Sequence, residues 1–475
     1  MISPSLLEAL ARDVGRENVV LEEPSLEAYS IDAFGRYRGA FPAEGAGRVY
    51  AAVRPSSIQE VAEIVRLATE HRVPLVPFGG GTGVMGAITP LRGGIAVDLK
   101  RMNRVIAISP EDRAATVQAG IVLADLDSAL HQKGLMLGHD PYSVPIATVG
   151  GAISTNGVGY RAARYGSMGE QVLGLTVVMP NGEILQTRAV PKTSAGPSLH
   201  HLFIGAEGAL GIITQATLRV FPLPEARVFK TIAFPDFESG FHAMVEMFSL
   251  GLRPALVDLT EEEQDTPSGN VADAAHPHKI QMYLVFEGYT EEVEAQVSRT
   301  RKVCTAAGGE DIGARPARDY WDTRHDSAYS YKERFLDQPP GMRPQRTWPR
   351  TVDYPHVALP ASKVLEYRRR CKEIASGRGI WIREYSSWTE PELFSMILVD
   401  VGLEGNGQEG DLAQASNEVL ALAQDMGGSM EYVHGVGTKL AHLMPRELGH
   451  GMEVLRAIKA ALDPHNIMNP GRLGL

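Results

Sequence analysis

Cysteine is scarce in this chain of 475 residues, which has only Cys304 and Cys371. Neither residue belongs to a CxxC motif or to a Cys/His spacing typical of metal ligands. A disulfide framework and an iron–sulfur cluster carried by this chain are therefore excluded. We interpret both side chains as ordinary reduced thiols.

Long apolar runs and dense basic runs are also missing. No apolar window approaches the roughly 20 residues that a membrane span requires. The N-terminus has an acidic residue, Glu8, where a signal peptide would have its apolar stretch. We therefore expect no transmembrane segment and a cytoplasmic location. The formal net charge is −11, and no Lys/Arg run has interleaved aromatic residues, so nucleic acid is not an expected partner.

Hydrophobic residues make up 44% of the chain, which excludes a disordered protein. Together with the length of 475 residues, this composition indicates two or three globular domains. From Val49 the pattern predicts a strand, a helix (Ser57 to His71) and a second strand (Pro74 to Pro77). This mixed α+β region ends at a proline-bounded junction, Phe221 to Glu225. Beyond it, helices are predicted at about Phe237 to Leu250 and at Thr290 to Ala307.

Three glycine-rich segments carry the first chemical signal: Gly79 to Gly83, Thr148 to Gly159 and Gly205 to Ile213. Glycine leaves backbone N–H groups accessible, so a pyrophosphate can bind directly to the main chain. The first segment lacks the GxGxxG pattern followed by a helix, and it lacks a Walker lysine. Three such segments in one domain predict one elongated ligand along a common face, and a flavin dinucleotide has that length.

These segments, with Asp98 to Asn103 and Asp140-Pro141, resemble in order the FAD domain of the vanillyl-alcohol oxidase (PCMH-type) superfamily. The ending Asp463 to Arg472 is similar to the C-terminal signature of that superfamily, so the resemblance covers nearly the whole chain. It implies an α+β fold with a two-subdomain PCMH-type FAD-binding domain and an α+β cap domain built on an antiparallel sheet. The implied boundaries are 1–225 (PCMH-type core about 46–225), 226–426 for the cap and 427–475 for a C-terminal segment that returns to the FAD domain.

The resemblance also implies the cofactor and the residues that bind it. FAD is expected without a covalent link, because no histidine lies between His71 and His131, where the pyrophosphate loop would carry a covalently bound one. The implied FAD-binding residues are Pro77, Phe78, Gly79, Gly80, Gly81, Thr82, Gly83, Asp140, Pro141, Thr148, Gly150, Gly151, Ser154, Asn156, Gly157, Tyr165, Glu207, Gly208, Gly211, Ile212, Ile213 and Asn469.

The segment Gly427-Gly428-Ser429 followed by His434-Gly435-Val436-Gly437 is similar to two branches of the superfamily. One contains glycolate oxidases and D-lactate dehydrogenases, and the other contains alkyldihydroxyacetonephosphate synthases. The metal-dependent dehydrogenases carry a His-x-Gly-Asp-Gly-Asn-x-His element, but this chain has no histidine between His356 and His434. No metal is therefore expected. The synthases carry His-His-His before Gly-Val-Gly, where this chain has Tyr432-Val433-His434.

Four residues are candidates for catalysis: His434, His356, Tyr432 and Arg324. An imidazole suits proton abstraction near neutral pH, and the glycine-flanked motif favours His434 as the base. A guanidinium would bind an anionic substrate. Trp321 and Arg324-His325 match a cap-domain position of the hydroxy acid branch, so Arg324 ranks first. The remaining candidates are Arg334, Arg343, Arg346 and Arg350.

The leading hypothesis is an FAD-dependent oxidoreductase that oxidises a D-2-hydroxy acid, similar to lactate or glycolate, or a related alcohol. The alternative is a synthase-like transferase that uses FAD without net redox change, and a third possibility is a non-catalytic FAD-binding subunit of a larger complex. The expected partner is a small, anionic substrate. The electron acceptor stays open between oxygen, a quinone and an electron-transfer protein, and a homodimer is one candidate for the oligomeric state.

Overall fold

The computed structural model describes residues 2–33, 47–262, 279–339, 342, 351–400 and 411–475, together with the backbone of 37–38 and 41–42. The predicted polar loop at Asp265 to Pro277 and the candidates Arg343, Arg346 and Arg350 lie outside the described residues. Within the described part of the chain, no helix is long and apolar enough to cross a membrane.

The first sheet has four strands in the order β1-β4-β6-β5, and its last three strands are parallel. The strands and helices of this region are β1 (Val19–Val20), β2 (Tyr37–Arg38), β3 (Phe41–Pro42), β4 (Ala51–Val53), β5 (Leu75–Phe78), β6 (Ile95–Asp98), α1 (Pro4–Val14), α2 (Glu23–Ala28) and α3 (Ile58–His71). Helix α3 begins after Ser57, whose side chain accepts from the Glu60 amide, and Glu60 accepts in turn from the Ser56 amide. This reciprocal cap explains why the helix could be predicted.

The second sheet is antiparallel, with five strands in the order β11-β10-β12-β8-β7. Its region contains β7 (Val105–Ser109), β8 (Ala114–Gln118), β9 (Leu135–Met136), β10 (Val172–Val178), β11 (Ile184–Gln186), β12 (Ile212–Arg219), β13 (Phe221–Pro222), α4 (Leu123–His131), α5 (Val149–Thr155) and α6 (Ala162–Tyr165). Both sheets share one hydrophobic core that includes Leu75, Val97, Val117 and Leu175.

The third sheet is antiparallel and has eight strands, formed by residues 226–400. Its strands are β14 (Ala226–Ala233), β15 (Leu256–Glu262), β16 (Lys279–Gly288), β17 (Glu310–Gly313), β18 (Val352–Asp353), β19 (His356–Ala358), β20 (Ile380–Trp388) and β21 (Leu393–Asp400). The helices are α7 (Phe237–Ser249), α8 (Thr290–Ala306), α9 (Arg315–Thr323), α10 (Asp326–Tyr331), α11 (Ala361–Gly377) and α12 (Asp411–Asp425), and a π-helix spans Lys332–Leu336. The first strand of this sheet begins at Ala226.

The C-terminal residues return to the first sheet. They contain α13 (Met444–Leu448) and α14 (Gly451–Leu462). The Leu75 amide donates to the Ile467 carbonyl at 2.7 Å, and the Asn469 amide donates to the Leu75 carbonyl at 2.8 Å. The buried Lys459 ammonium donates to the Ala209 carbonyl at 2.7 Å. These bonds place Asn469 beside strand β5, which leads into the first glycine-rich segment.

Candidate active site

The three glycine-rich segments line one cavity, together with Asn469, Val433 and His434. The first segment follows the carboxyl end of parallel strand β5, where ligands of α/β sheets commonly bind. It packs closely on the second segment, because an added Cβ at Gly79 would overlap Oγ1 of Thr148. The third segment is held to the second by the Glu207 amide, which donates to the Ser154 carbonyl at 2.9 Å. We call this space the glycine cavity.

The second segment is partly helical, which its glycine content did not suggest. Thr148 caps α5 by accepting from the Gly151 amide, and Asn156 ends the helix in a left-handed conformation. Gly150 is required by packing, because a Cβ there would lie 2.9 Å from the Cβ of Ala119. The short helix therefore presents Gly151 and Ser154 to the glycine cavity without a bulky side chain in between.

Most of the predicted FAD-binding residues line this cavity: Pro77, Phe78, Gly79, Gly80, Gly81, Thr82, Gly83, Pro141, Thr148, Gly150, Gly151, Ser154, Gly157, Glu207, Gly208, Gly211, Ile212, Ile213 and Asn469. Three predicted residues have other contacts. Asn156 accepts from the Gly169 amide at 2.9 Å, and the Tyr165 ring packs on Phe221 with ring centroids 4.5 Å apart. The Asp140 carboxylate is engaged by basic side chains.

His139 was missed by the sequence analysis, although it lines the glycine cavity and is almost fully buried. Burial lowers the pKa of its imidazole to about 4, so the ring is neutral at physiological pH. Its Nδ1 atom has no hydrogen-bond partner among the described residues. A buried polar atom of this kind needs a partner, and a residue on the wall of a glycine-lined cavity can find one on a polar cofactor such as FAD.

A second, larger cavity of 730 Å³ lies next to the glycine cavity. Thr82, Val84, Tyr142, Ser143 and His434 line both of them. The remaining wall comes from the N-terminal region, from α10 and the π-helix, from β18 and β19, and from Lys439. We call this space the substrate cavity. His434 is thus placed where the two cavities meet.

His434 is held from two sides by buried carboxylates. Glu431 Oε1 accepts from the amides of Tyr432, Val433 and His434 at 3.0, 2.7 and 2.9 Å. Glu207 Oε1 accepts from the amides of Val436 and Gly437 at 2.7 and 2.9 Å. Charged acceptors make strong hydrogen bonds to backbone amides, so the turn that carries His434 has a defined position. The predicted cofactor ligand Glu207 therefore also fixes this turn.

Glu431 faces the imidazole as well as the backbone, with 3.7 Å between its Oε1 and Nδ1 of His434. Burial alone would raise the pKa of Glu431, but its hydrogen bond with His434 and the nearby imidazoles lower that pKa below its ordinary value. Glu431 was not among the predicted residues. Its position three residues before His434 was the signal available, because that spacing lets a carboxylate reach the ring.

His356 lies beside His434, with ring centroids 4.7 Å apart. The two meet because β19 continues into a bridge in which the amide of Ser429 donates to the carbonyl of Ala358 at 2.8 Å. His356 Nδ1 lies 2.9 Å from the carbonyl oxygen of Tyr354. Burial, with the nearby His434, lowers the pKa of His356 to about 4. A neutral ring that donates from Nδ1 leaves Nε2 as a hydrogen-bond acceptor.

His356, Glu431 and His434 form a group whose possible ligand atoms lie within 4.8 Å of one another. Two imidazoles and a carboxylate are a ligand set that zinc accepts. The sequence analysis expected no metal because the element between His356 and His434 is missing, but the structure brings together the two histidines that flank this interval. The prediction that no metal is bound therefore needs a direct test.

The other two catalytic candidates do not line either cavity. The Tyr432 ring lies 5.7 Å from the His356 ring, and burial raises the Tyr432 pKa well above its ordinary value. Arg324 Nε donates to Asp140 at 3.0 Å, and its guanidinium lies 4.0 Å from the Trp321 ring centroid.

Arg334, one of the remaining arginine candidates, does line the substrate cavity. No hydrogen bond or ion pair to Arg334 is found in the part of the chain that the structure describes.

Asp140 holds the first 225 residues against α9 and the segment that follows it. Its carboxylate lies 3.0 Å from both Arg324 Nε and His325 Nε2, and 3.7 Å from Arg161. Burial alone would raise the pKa of Asp140, but these three side chains hold that pKa well below its ordinary value. The site therefore includes a buried charge cluster that the sequence analysis had assigned to FAD and to substrate.

Asp140→Asn is expected to destabilise the protein by about 3–5 kcal/mol, because it leaves buried guanidinium groups without their carboxylate. Thermal unfolding of the holoenzyme measures this change. As a matched control, Glu373→Gln removes an exposed partner of Arg369 and should cost less than about 1 kcal/mol. Equal, small effects of both substitutions would show that the Asp140 cluster contributes little to the free energy of unfolding.

Comparisons with known proteins agree with this geometry. Residues 49–188 match the FAD binding domain family, and residues 223–473 match the C-terminal domain of FAD linked oxidases. The fold and the two cavities define an FAD-dependent enzyme of the PCMH-type architecture. The chain belongs to the FAD-linked oxidase family. The predictions of FAD as cofactor and of the fold class are thereby confirmed.

Three relatives illustrate the range of activities. The chain is 28% identical to glycolate oxidase subunit GlcD of Bacillus subtilis over 100% of this chain and 97% of the relative. It is 30% identical to a D-lactate dehydrogenase of Archaeoglobus fulgidus, over 95% and 96%. It is also 29% identical to an alkyldihydroxyacetonephosphate synthase of Trypanosoma brucei brucei, over 89% and 73%. Among solved structures, p-cresol methylhydroxylase is similar in fold, with a TM-score of 0.75 at 21% identity over 99% of this chain and 96% of that chain.

The FAD is expected to dissociate when the protein is denatured. The loop Gly79 to Gly83 has no histidine. The described histidines that line the glycine cavity are His139 and His434. After precipitation with trichloroacetic acid, the yellow colour should stay in the supernatant. Colour retained in the pellet of the wild type, and lost from the pellet of His139→Ala, would instead show a covalent link at His139.

Proposed function

We propose that this protein oxidises the hydroxyl group of a D-2-hydroxy acid, or of a related alcohol, and that His434 is the base. The observation that carries the proposal is the position of His434 on the wall shared by the glycine cavity and the substrate cavity. Bound FAD supplies the acceptor for the hydride that leaves C2 of the substrate. The agent that reoxidises the cofactor stays open between oxygen, a quinone and an electron-transfer protein.

His434 is favoured as base by the composition of the shared wall. Its five residues include two titratable groups, Tyr142 and His434. Burial raises the pKa of Tyr142 far above its ordinary value, so the phenol keeps its proton at neutral pH. An imidazole can accept a proton there. His434 is therefore the group on this wall that can take the hydroxyl proton.

Glu431 and His356 complete the proposed site as positioning residues. The carboxylate of Glu431 lies on the Nδ1 side of His434, which leaves Nε2 for the substrate hydroxyl. As C2–H breaks, its electron pair leaves as hydride, the hydroxyl proton passes to Nε2, and the product is a 2-oxo acid. His356 is neutral and its ring lies 4.7 Å from that of His434, so it can position the His434 ring.

The substrate carboxylate is assigned to Arg334 in place of Arg324. Arg324 is engaged with Asp140 at a contact between domains, whereas Arg334 lines the substrate cavity. Lys439 also lines this cavity, but its ammonium forms a buried ion pair with Asp353. A guanidinium binds a carboxylate through two parallel hydrogen bonds. Arg334 is therefore the cation we propose to attract an anionic substrate.

Anaerobic addition of a panel of D- and L-2-hydroxy acids to the holoenzyme tests the proposed function. We expect D acids to bleach the flavin absorbance and to yield the corresponding 2-oxo acids. The transferase alternative is supported by the synthase relatives and by the large substrate cavity. It predicts that no hydroxy acid bleaches the flavin, so the same experiment separates the two functions.

Activity is expected to be insensitive to chelators. The prediction rests on the missing His-x-Gly-Asp-Gly-Asn-x-His element. The Nδ1 contacts of His356 and His434 leave both Nε2 atoms available, so they do not by themselves exclude a metal ion at His356, Glu431 and His434. We expect unchanged flavin reduction after dialysis against a chelator. Stoichiometric zinc by elemental analysis, with activity lost on chelation and restored by zinc, would instead identify this group as a metal site.

A further inference from the structure

We propose that the substrates are 2-hydroxy acids with a large apolar side chain, aromatic above all, rather than glycolate or lactate. This inference rests on the proposed function and deepens it. It is carried by the size of the substrate cavity and by the aromatic composition of its wall.

The substrate cavity has a volume of 730 Å³. Sites for drug-sized ligands have volumes of about 300–1,000 Å³, and a two- or three-carbon hydroxy acid is far smaller than such a ligand. A small acid in this space would be surrounded by water, which weakens its electrostatic contacts and leaves its orientation loosely defined. The volume therefore favours a substrate that fills the cavity beyond its reacting carbon.

The wall of the substrate cavity is aromatic on several sides. It includes the rings of Tyr142, Tyr160, Tyr331, Phe335 and Tyr354. The Tyr331 and Phe335 rings stack on each other with centroids 5.2 Å apart and 27° between their planes. Aromatic rings contribute large apolar area and favourable ring–ring geometry to a bound ring. This wall therefore favours a substrate side chain that is apolar and about as large as an aromatic ring.

The cap side of the cavity is formed by one helical stretch. Residues 327, 331 and 335 follow the four-residue spacing that places side chains on the same face. Ser327, Ser330 and Arg334 are exposed, whereas Ala328 is buried. The exposed residues of this stretch are polar, and Arg334 among them can bind the carboxylate. The half-buried rings of Tyr331 and Phe335 are the groups of this stretch that we propose to contact the side chain at C2.

The first test compares kcat/KM for glycolate, D-lactate, D-2-hydroxyoctanoate and D-3-phenyllactate with the holoenzyme. Each methylene in a hydrophobic pocket changes specificity by about 10- to 200-fold. We therefore expect D-3-phenyllactate to exceed D-lactate by at least about 100-fold. If D-lactate or glycolate is used as well as the bulky acids, or better, the inference on side-chain size is wrong while the proposed function stands.

Binding of unreactive acids separates this inference from the proposed function. Calorimetric titration of the holoenzyme should show 3-phenylpropanoate binding at least about 100-fold more tightly than propanoate. Tight binding of 3-phenylpropanoate without flavin bleaching by any hydroxy acid would support the ligand class and overturn the proposed function. Equal, weak binding of both acids would overturn the ligand class.

Two variants locate the binding of the side chain. Ala328→Phe and Ser330→Trp add volume at the cap side of the cavity. Each should lower the ratio of kcat/KM for D-3-phenyllactate over D-lactate by at least about tenfold. The second variant changes an exposed residue, so it remains informative if the first does not fold. Tyr329→Trp is the matched control, because Tyr329 lies on the same helix, is 57% exposed and does not line the cavity. An unchanged ratio in both cavity variants would overturn the inference.

Discussion

His434→Ala should reduce the bound flavin about 100 to 10,000 times more slowly than the wild type in single turnovers, because the hydroxyl proton loses its positioned acceptor. FAD content and thermal unfolding should stay normal, since the turn is held by backbone bonds to Glu431 and Glu207. Partial recovery is expected as the pH rises, because the substrate loses its proton more readily. Stopped-flow absorbance under anaerobic conditions measures the rate.

His356→Ala is the comparison for this substitution, and it should cost less because His356 only positions the ring of His434. Added imidazole should restore part of the rate of His434→Ala, because the substrate cavity can admit a free ring. A structural role for His434 would give no such recovery. Flavin reduction by His434→Ala within about threefold of the wild type, less than about 1 kcal/mol of barrier, would place the base elsewhere. His356 and Tyr432 would then be the residues to test.

Gly81→Val should abolish or severely reduce FAD binding. Gly81 has φ +66°, which a β-branched residue adopts only with strain, and its added Cβ would lie 3.0 Å from Cζ of Phe78. The loop must also present its backbone N–H groups to the pyrophosphate. The ratio of flavin to protein absorbance after purification measures the loss.

Gly134→Val is the matched control for backbone strain. Gly134 has φ +70° and no atom within 4 Å of its added Cβ, and it does not line the glycine cavity. Both variants carry similar strain, but only Gly81→Val should lose the cofactor. A full flavin complement in Gly81→Val would show that the loop at Gly81 does not hold the phosphate groups.

The glycine cavity could be predicted from the sequence because its signal is local. Gly80 is placed where a Cβ would overlap the Ile146 carbonyl oxygen, and Gly81 has a positive φ. Close packing and a positive φ both require glycine at the position itself, so the requirement is visible in the sequence as a run of glycines. Helix α3 and helix α7 were predicted closely for the same reason, since each begins at a capping side chain, Ser57 and Asp236.

The choice between arginines could not be made from the sequence. Arg324 and Asp140 are 184 residues apart, and no local pattern shows that folding brings them into contact. Arg334 was one of the remaining candidates in the sequence, and it became the first choice only when the structure placed it on the substrate cavity. The partner of a long charged side chain is decided by tertiary packing. The same reason explains why His139 and Lys439 were missed.

The group of His356, Glu431 and His434 could not be predicted from the sequence either. The sequence analysis looked for a metal site by a motif, and the motif is absent from this chain. The structure forms the group from a strand and a turn that a bridge between Ala358 and Ser429 holds together. Spacing along the chain does not report such a contact. Elemental analysis of the protein is therefore needed to decide whether this group binds a metal ion.

Anaerobic single-turnover reduction with D-3-phenyllactate, unlabelled and deuterated at C2, tests the central claim most directly. The account predicts complete bleaching of the flavin absorbance, formation of one 2-oxo acid for each FAD reduced, and slower bleaching with the deuterated acid because C2–H breaks in that step. An unchanged flavin spectrum with this acid and with every other D-2-hydroxy acid, in enzyme with a full FAD complement, would contradict the account.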